Sequence, residues 1–145
     1  MLLILNFNGL AQPTEARAES GWGLFARVNF RTKFISEINE FQLRPEFTEA
    51  FRKNEGREII LKGYYMAFNL AEDQLILSQY SYVGCFFCGS AGPESVAYIY
   101  LNNKRPKLKP DQVIAIKGKL KLNDRDVNQL TFILEDAELL DDTFK

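Results

Sequence analysis

The sequence predicts a mainly β fold, a small OB-like barrel of five to six strands with one short helix. Short stretches of strand composition follow one another closely from residue 58 to the end of the chain. Gly63 and Gly118 stand in the middle of two of these stretches, where a strongly curved strand needs glycine. A chain of 145 residues forms one domain most simply, and it is long enough to bury its own hydrophobic core.

The first predicted element is an early strand within Trp22–Phe34, where aromatic residues and valine roughly alternate. The pattern over residues 35–43 is ambiguous between strand and loop. A short helix, Pro45–Lys53, follows, because proline is favoured in the first helical turn. This helix would place Phe47 and Phe51 on one face.

The barrel itself is predicted from the strands that come after this helix. They are Glu58–Phe68, Gln74–Tyr80, Ser95–Leu101, Gln112–Leu122 and Leu130–Leu140. Regular alternation along Gln112–Leu122 indicates a strand with one face in the core. We expect a break in the last strand near Glu135-Asp136-Ala137.

Composition excludes several classes of function. The formal net charge is −1, so nothing favours nucleic acid as a partner. The chain has no histidine, which excludes His-based catalytic triads and His-containing zinc sites within one chain. No apolar run reaches the roughly 18 residues that a transmembrane helix needs, so no transmembrane segment is predicted.

The N-terminus differs from the rest of the chain. The apolar run from Leu2 to Ala11 has the length of a signal-peptide h-region, and it ends in small residues. We therefore interpret residues 1–11 as a signal-peptide remnant, 12–21 as a mobile lead-in and 22–145 as the single barrel domain, in a periplasmic or otherwise exported protein. No basic residue precedes Arg17, so the n-region is missing, and an N-terminal strand of the fold is the alternative.

The segment from Tyr82 to Ser95 is the most informative, because it holds both cysteines in a C-x-x-C arrangement among glycines. Glycine and proline mark a loop here. Gly84 and Gly89 free its backbone to turn, which can bring both sulfurs to the same side. We predict that this loop binds a ligand or partner through Cys85, Phe86, Phe87, Cys88, Gly89, Gly92, Pro93 and Glu94.

Three chemical roles for the two cysteines stay open. Cys85 and Cys88 are candidate ligands for a metal such as zinc, but zinc prefers four ligands. Glu94, or the thiols of a second chain in a homodimer, would have to complete the site. The pair could instead act in thiol–disulfide exchange, although the β-rich surroundings lack the βαβ scaffold of that motif. In the third role the cysteines are structural, as a disulfide or as small buried side chains.

The block from Cys85 to Ser95, together with Leu61–Tyr65 and Val113–Gly118, resembles an uncharacterised family of small exported bacterial proteins. Members of that family carry a CFFCG-x-AGPE-like block in an OB-like barrel. The resemblance spans residues 22–141 approximately. It implies the fold and an envelope location, and it implies no particular activity.

These observations favour an exported, non-enzymatic binding or accessory domain, with no catalytic residue assigned. The cysteine-containing loop would be its metal, ligand or partner site, and the partner would be an unidentified protein or small ligand. Two alternatives remain, a thiol–disulfide oxidoreductase and a purely structural subunit of an envelope complex.

Overall fold

The structure, a computed structural model, describes residues 21–140 and confirms the mainly β class. Its helices are α1 (Gly21–Phe25) and α2 (Glu49–Arg52). Its strands are β1 (Asn29–Ile35), β2 (Glu40–Glu46), β3 (Glu58–Met66), β4 (Gln74–Ser78), β5 (Val96–Leu101), β6 (Val113–Leu122) and β7 (Phe132–Leu139). The predicted signal-peptide remnant and lead-in up to residue 20 lie outside the described residues.

Strands β3 to β7 close into a five-stranded barrel in the order β3-β4-β5-β7-β6. All neighbours are antiparallel except β5 and β7, which are parallel. The OB-like barrel is thus confirmed, and the bounds of its strands differ from the predicted ones by no more than two residues. Closure leaves the barrel without a free sheet edge.

Glycines allow the tight curvature of this small barrel. A Cβ at Gly63 would collide with the backbone carbonyl of Ser78 on β4, so only glycine lets β3 and β4 approach so closely. A Cβ at Gly118 would lie 3.0 Å from the Cβ of Ala137. The register of β6 and β7 shifts near this point, and Asp136 has a φ of 47°. The predicted break in the last strand is therefore a bulge.

The interior of the barrel is closed by α1. The rings of Phe25 and Phe132 stack with centroids 3.9 Å apart, and both side chains are fully buried. Trp22 donates a hydrogen bond of 2.8 Å from its indole nitrogen to the Lys62 carbonyl. Buried side chains of this size are worth roughly 1.5–3 kcal/mol each, so this aromatic contact fixes the N-terminal end of the described chain to the barrel.

Two sequence predictions before the barrel are wrong. Of the expected early strand Trp22–Phe34, residues 29–34 are a strand, whereas residues 22–25 form a helix. Trp22, Leu24 and Phe25 gain more from burial in the barrel core than their strand propensity can offset. Pro45 lies in β2 opposite Phe30 rather than in a helix. The helix begins only at Glu49, after Thr48, whose hydroxyl caps it by accepting from the Phe51 amide at 3.1 Å. The described residues thus hold two short α-helices instead of one.

Strands β1 and β2 form a separate antiparallel hairpin beside the barrel, and the ambiguous residues 35–43 supply its turn and most of β2. Proline is tolerated in a strand of such a two-stranded sheet because it needs no ladder donor at an edge. None of the helices within residues 21–140 is long and apolar enough to cross a membrane.

Candidate functional site: the cysteine loop

The cysteine loop, residues 79–95, connects the neighbouring antiparallel strands β4 and β5. Its neck is closed by the Gln79 amide, which donates to the Ser95 carbonyl at 2.8 Å. Between these ends the chain makes three short 3-10 turns, Tyr82–Gly84, Phe86–Cys88 and Pro93–Ser95. The loop therefore satisfies much of its backbone hydrogen bonding locally.

Cys85 anchors this loop. Its side chain is 1% exposed and packs with Met66 and Ile76 in a small second core cluster. Its carbonyl accepts hydrogen bonds from the amides of Cys88, at 3.3 Å, and Ser90, at 3.2 Å. A buried cysteine acts here as a small hydrophobic residue, and it holds the following turn against β3 and β4.

Cys88 is exposed, and its Sγ lies 2.9 Å from the Sγ of Cys85. The carbonyl of Tyr82, 3.0 Å away, is a second acceptor for the Cys88 thiol. Gly89 ends the turn with a φ of 75°, and its amide donates to the Phe86 carbonyl at 2.9 Å. The sequence analysis expected the glycines to bring both sulfurs to one side, and the two sulfurs do meet.

The contact makes the two thiols unequal. The hydrogen bond with the Cys88 side chain, together with bonds from the amides of Cys88 and Phe87, lowers the pKa of Cys85 despite its burial. The same bond raises the pKa of Cys88, with desolvation and the neighbouring Cys85 charge adding to the effect. The contact therefore shifts the pKa values of the two thiols in opposite directions.

The outer surface of the loop is apolar. Large hydrophobic side chains stand exposed on it, and one more exposed ring lies just beyond the end of β3. We call this set the aromatic rim: Phe68, Tyr80, Tyr82, Val83 and Phe87. Val83 is 88% exposed, and the ring of Phe87 contacts those of Phe68, at 4.9 Å, and Phe86, at 5.3 Å.

Of the aromatic rim, Phe87 belongs to the site predicted from sequence, whereas Phe68, Tyr80, Tyr82 and Val83 do not. Phe68 follows β3 and reaches the loop only through the fold of the barrel. Val83 did carry a signal, since a β-branched residue between a tyrosine and a glycine in a loop has no strand neighbours to cover it.

The C-terminal part of the loop holds the remaining predicted residues. The Glu94 carboxylate folds back over Gly92 and occupies the space that a side chain at that position would need. Pro93 opens the last 3-10 turn, which the Ser95 hydroxyl closes by donating to the Gly92 carbonyl at 2.6 Å. The Glu94 carboxylate thus lies beside its own turn.

The described part of the chain does not place a third candidate zinc ligand beside the two sulfurs. Among residues 21–140, no three His, Cys, Asp or Glu side chains come together in a group suited to a metal ion. Glu94 thus does not join the two sulfurs in the single-chain site that the sequence analysis considered. The alternative, in which two chains pool their thiols, stays a prediction, and it would require the buried Cys85 to become accessible.

The fold and this site define a class, an OB-like barrel that carries an exposed apolar loop with a vicinal pair of thiols. No protein-family model matches the chain, and no curated protein matches it. A solved structure of a DUF3299 family protein from Pseudomonas aeruginosa PAO1 is 16% identical, with a TM-score of 0.46, and the match covers 67% of this chain and 68% of that one. A likeness at this level carries no argument about the site, and the family resemblance of the CFFCG-x-AGPE-like block stays a prediction.

Proposed function

We propose that this protein is a non-enzymatic docking domain whose cysteine loop inserts the aromatic rim into an apolar pocket on a partner protein. The observation that carries the proposal is the exposure of the aromatic rim on a loop that the barrel holds in place. Apolar patches exposed to solvent mark interaction sites. Tyrosine and phenylalanine are enriched in such sites because they bury large areas at a low cost in side-chain entropy.

The charge of the loop supports a protein partner. Glu94 is the only charged residue between positions 79 and 95, and its carboxylate is turned back onto Gly92. A loop without cations offers nothing to a phosphate backbone. Its recognition must therefore rest on apolar contact.

The exposure of the aromatic rim is greatest at Val83, which is 88% exposed. Among the rim residues, Val83 is therefore the one with the largest exposed fraction to bury on binding, and burial of apolar surface favours association. We take Val83 as the central contact of the docking surface, and a second copy of this chain is the alternative partner that the experiment below distinguishes.

The dithiol has a supporting role in this proposal. Burial of Cys85 fixes one side of the turn, and the contact with Cys88 fixes the other. A preordered loop loses less conformational entropy when it binds. We expect Cys85→Ser to weaken docking by loosening the loop and Val83→Ser to weaken it by removing a contact.

The test is a site-specific photo-cross-linking experiment in the native host. A photoreactive amino acid at position 83 should give one discrete cross-linked product with another protein, and the same group at the exposed barrel position 60 should not. The cross-linked protein, once identified and purified, should bind the wild-type chain and the Ile60→Ser control equally well. Its affinity for Val83→Ser should be at least about tenfold lower, a loss of about 1.4 kcal/mol. A product containing two copies of this chain would replace the docking proposal with a homodimer.

A second candidate function, thiol–disulfide exchange, is favoured by the 2.9 Å contact between the two sulfurs. In that reaction a thiolate of this chain attacks a disulfide of the substrate. The pair becomes a disulfide, and the substrate gains the two electrons and leaves as two thiols. It ranks second because the accessible sulfur, Cys88, is the one whose pKa is raised, whereas an attacking cysteine needs an exposed thiolate. If the wild type reduces insulin disulfides and Cys88→Ser does not, thiol–disulfide exchange becomes the favoured function.

The exported location belongs to the proposal as well, and it rests on the apolar run from Leu2 to Ala11. N-terminal sequencing of protein from the native host should begin at Gln12. An intact Met1 in an exclusively cytosolic fraction would contradict export and leave the docking proposal standing.

A further inference from the structure

A second feature of the molecule lies away from the cysteine loop, on the β1–β2 hairpin. Arg44 in β2 is 8% exposed, yet none of the described residues pairs with its guanidinium group. A buried charge without a counter-charge is costly, and arginine stays protonated at any physiological pH. The position of Arg44 therefore calls for an anionic partner.

The register of the hairpin adds a second reason for an anion beside Arg44. Arg44 stands directly opposite Arg31 on the neighbouring strand. Like charges in that position repel each other. Arg31 is relieved by an ion pair with Glu46 at 3.0 Å, and Arg44 is not.

Arg44 lines a cavity of about 390 Å³ between the hairpin and the connection from β6 to β7. Two further cations, Lys33 and Arg125, line the same cavity. Neither of their side chains has a hydrogen-bond or ion-pair partner among residues 21–140. A volume of this size admits a small organic ligand.

Three acidic residues share the cavity, and one of them is paired with a cation outside it. Asp124 forms an ion pair with Arg52, which belongs to α2 and does not line the cavity. Within the described part of the chain, Asp126 and Glu37 accept hydrogen bonds only from neutral groups, the Asn128 amide and the Ser36 hydroxyl, and keep their charge. The lining thus carries three cations against two carboxylates that no described cation pairs with, a small excess of positive charge.

We propose that this cavity binds the oxyanion group of a small soluble ligand, a phosphate or a carboxylate. The planar guanidinium of Arg44 presents two parallel N–H donors, which match two oxygens of such a group. Lys33 and Arg125, both exposed, contact the same group from the mouth of the cavity. This site is independent of the cysteine loop and of the docking function proposed for it.

The test is an isothermal titration of the full chain with inorganic phosphate and, separately, with acetate, at constant ionic strength maintained with chloride. We expect saturable 1:1 binding of at least one of the two, and the tighter one identifies the ligand chemistry. Lys33→Gln and Arg125→Gln should each weaken it about tenfold, the loss expected for one charge-assisted contact. Lys62→Gln, an exposed charge removed from the barrel strand β3, should leave the affinity unchanged.

Arg44→Lys provides the sharper variant, because it keeps the charge and removes the two-pronged donor. It should lose phosphate or acetate binding while circular dichroism shows an intact fold. If Arg44→Lys unfolds the protein, Lys33→Gln and Arg125→Gln decide. The absence of saturable binding by both anions would overturn the proposal. So would an equal loss of affinity in Lys62→Gln and in the Lys33→Gln and Arg125→Gln variants.

Discussion

The barrel wall and the cysteine loop differ in where they place their apolar side chains and in how they pair their backbone. Along β6 the side chains alternate between core and solvent, and the backbone is paired with β3 and β7. In the loop, residues such as Val83 and Phe87 face solvent while much of the backbone bonding stays within short turns. The difference teaches that the barrel buries most of its apolar side chains in one core, whereas the loop leaves several of its own exposed, as the proposed docking role requires.

The glycines of the barrel and of the loop serve different purposes. Gly63 is required because two backbones of the barrel nearly touch, and the positive φ of Gly89 shapes an exposed turn. Space around Gly89 is open. A side chain added at Gly63 therefore meets resistance from the whole barrel, and one added at Gly89 meets only local backbone strain.

The largest effect is expected in the barrel core. Phe132 is fully buried and its ring stacks on that of Phe25. Phe132→Ala should lower the free energy of unfolding by about 3–5 kcal/mol, because it removes a large apolar side chain and leaves a cavity. Urea denaturation followed by fluorescence measures the change. A loss below about 1 kcal/mol would show that stability does not reside in the barrel.

The two glycines should rank next. Gly63→Ala should destabilise the protein by about 2–3 kcal/mol, because the new Cβ forces β3 away from the Ser78 carbonyl. Gly89→Ala should cost only about 1–2 kcal/mol, the penalty for placing a side chain in the left-handed region. The same denaturation measurement orders them, and the reverse order would break the comparison.

Substitution at the loop tip should barely affect stability. Val83 is almost fully exposed, so Val83→Ser should change the free energy of unfolding by less than about 0.5 kcal/mol. Ile60→Ser, at an exposed barrel position, is the matched control. A large destabilisation by Val83→Ser alone would mean that the aromatic rim is part of the core and not a docking surface.

The smallest predicted effect is a shift in the titration of Cys85. Since the hydrogen bond with the Cys88 side chain lowers the pKa of Cys85, Cys88→Ala should raise the pKa of Cys85. Cys88→Ser keeps a donor and should raise it less. Thiolate absorbance near 240 nm, followed against pH, measures each pKa. No difference between the alanine and serine variants would show that the Cys88 donor does not set the pKa of Cys85.

The pH dependence of stability provides a second readout of this contact. Because the pKa of Cys85 is lower in the folded state, the unfolded chain binds more protons between the folded and the ordinary unfolded pKa. The stabilisation from Cys85 is therefore present above its unfolded pKa and lost as pH falls through its folded pKa. Cys88→Ala should flatten the rise in stability across that window.

Much of the barrel could be predicted from sequence because its signals are local. The alternation in β6 predicts a strand with one buried face, and the mid-strand glycines predict strong curvature. Trp22 and Pro45 were misassigned because tertiary contacts decide them: the first packs into the barrel, and the second faces Phe30 across a hairpin that the sequence left ambiguous.

The site was predictable in part for the same reason. Loop glycines indicated that the two sulfurs meet, since turn geometry is local. Burial of Cys85 depends on Met66 in a distant strand. The isolation of Arg44 depends on the position of the β6–β7 connection. No local pattern around Cys85 or around Arg44 predicts these contacts.

The most direct test of the central claim is the affinity of the cross-linked partner protein, once purified, for three forms of this chain. Isothermal titration should give equal dissociation constants for the wild type and Ile60→Ser, and a constant at least about tenfold higher for Val83→Ser. The free energies of unfolding of the wild type and Val83→Ser should agree within about 0.5 kcal/mol. Equal affinity of Val83→Ser and the wild type would contradict the assignment of recognition to the cysteine loop.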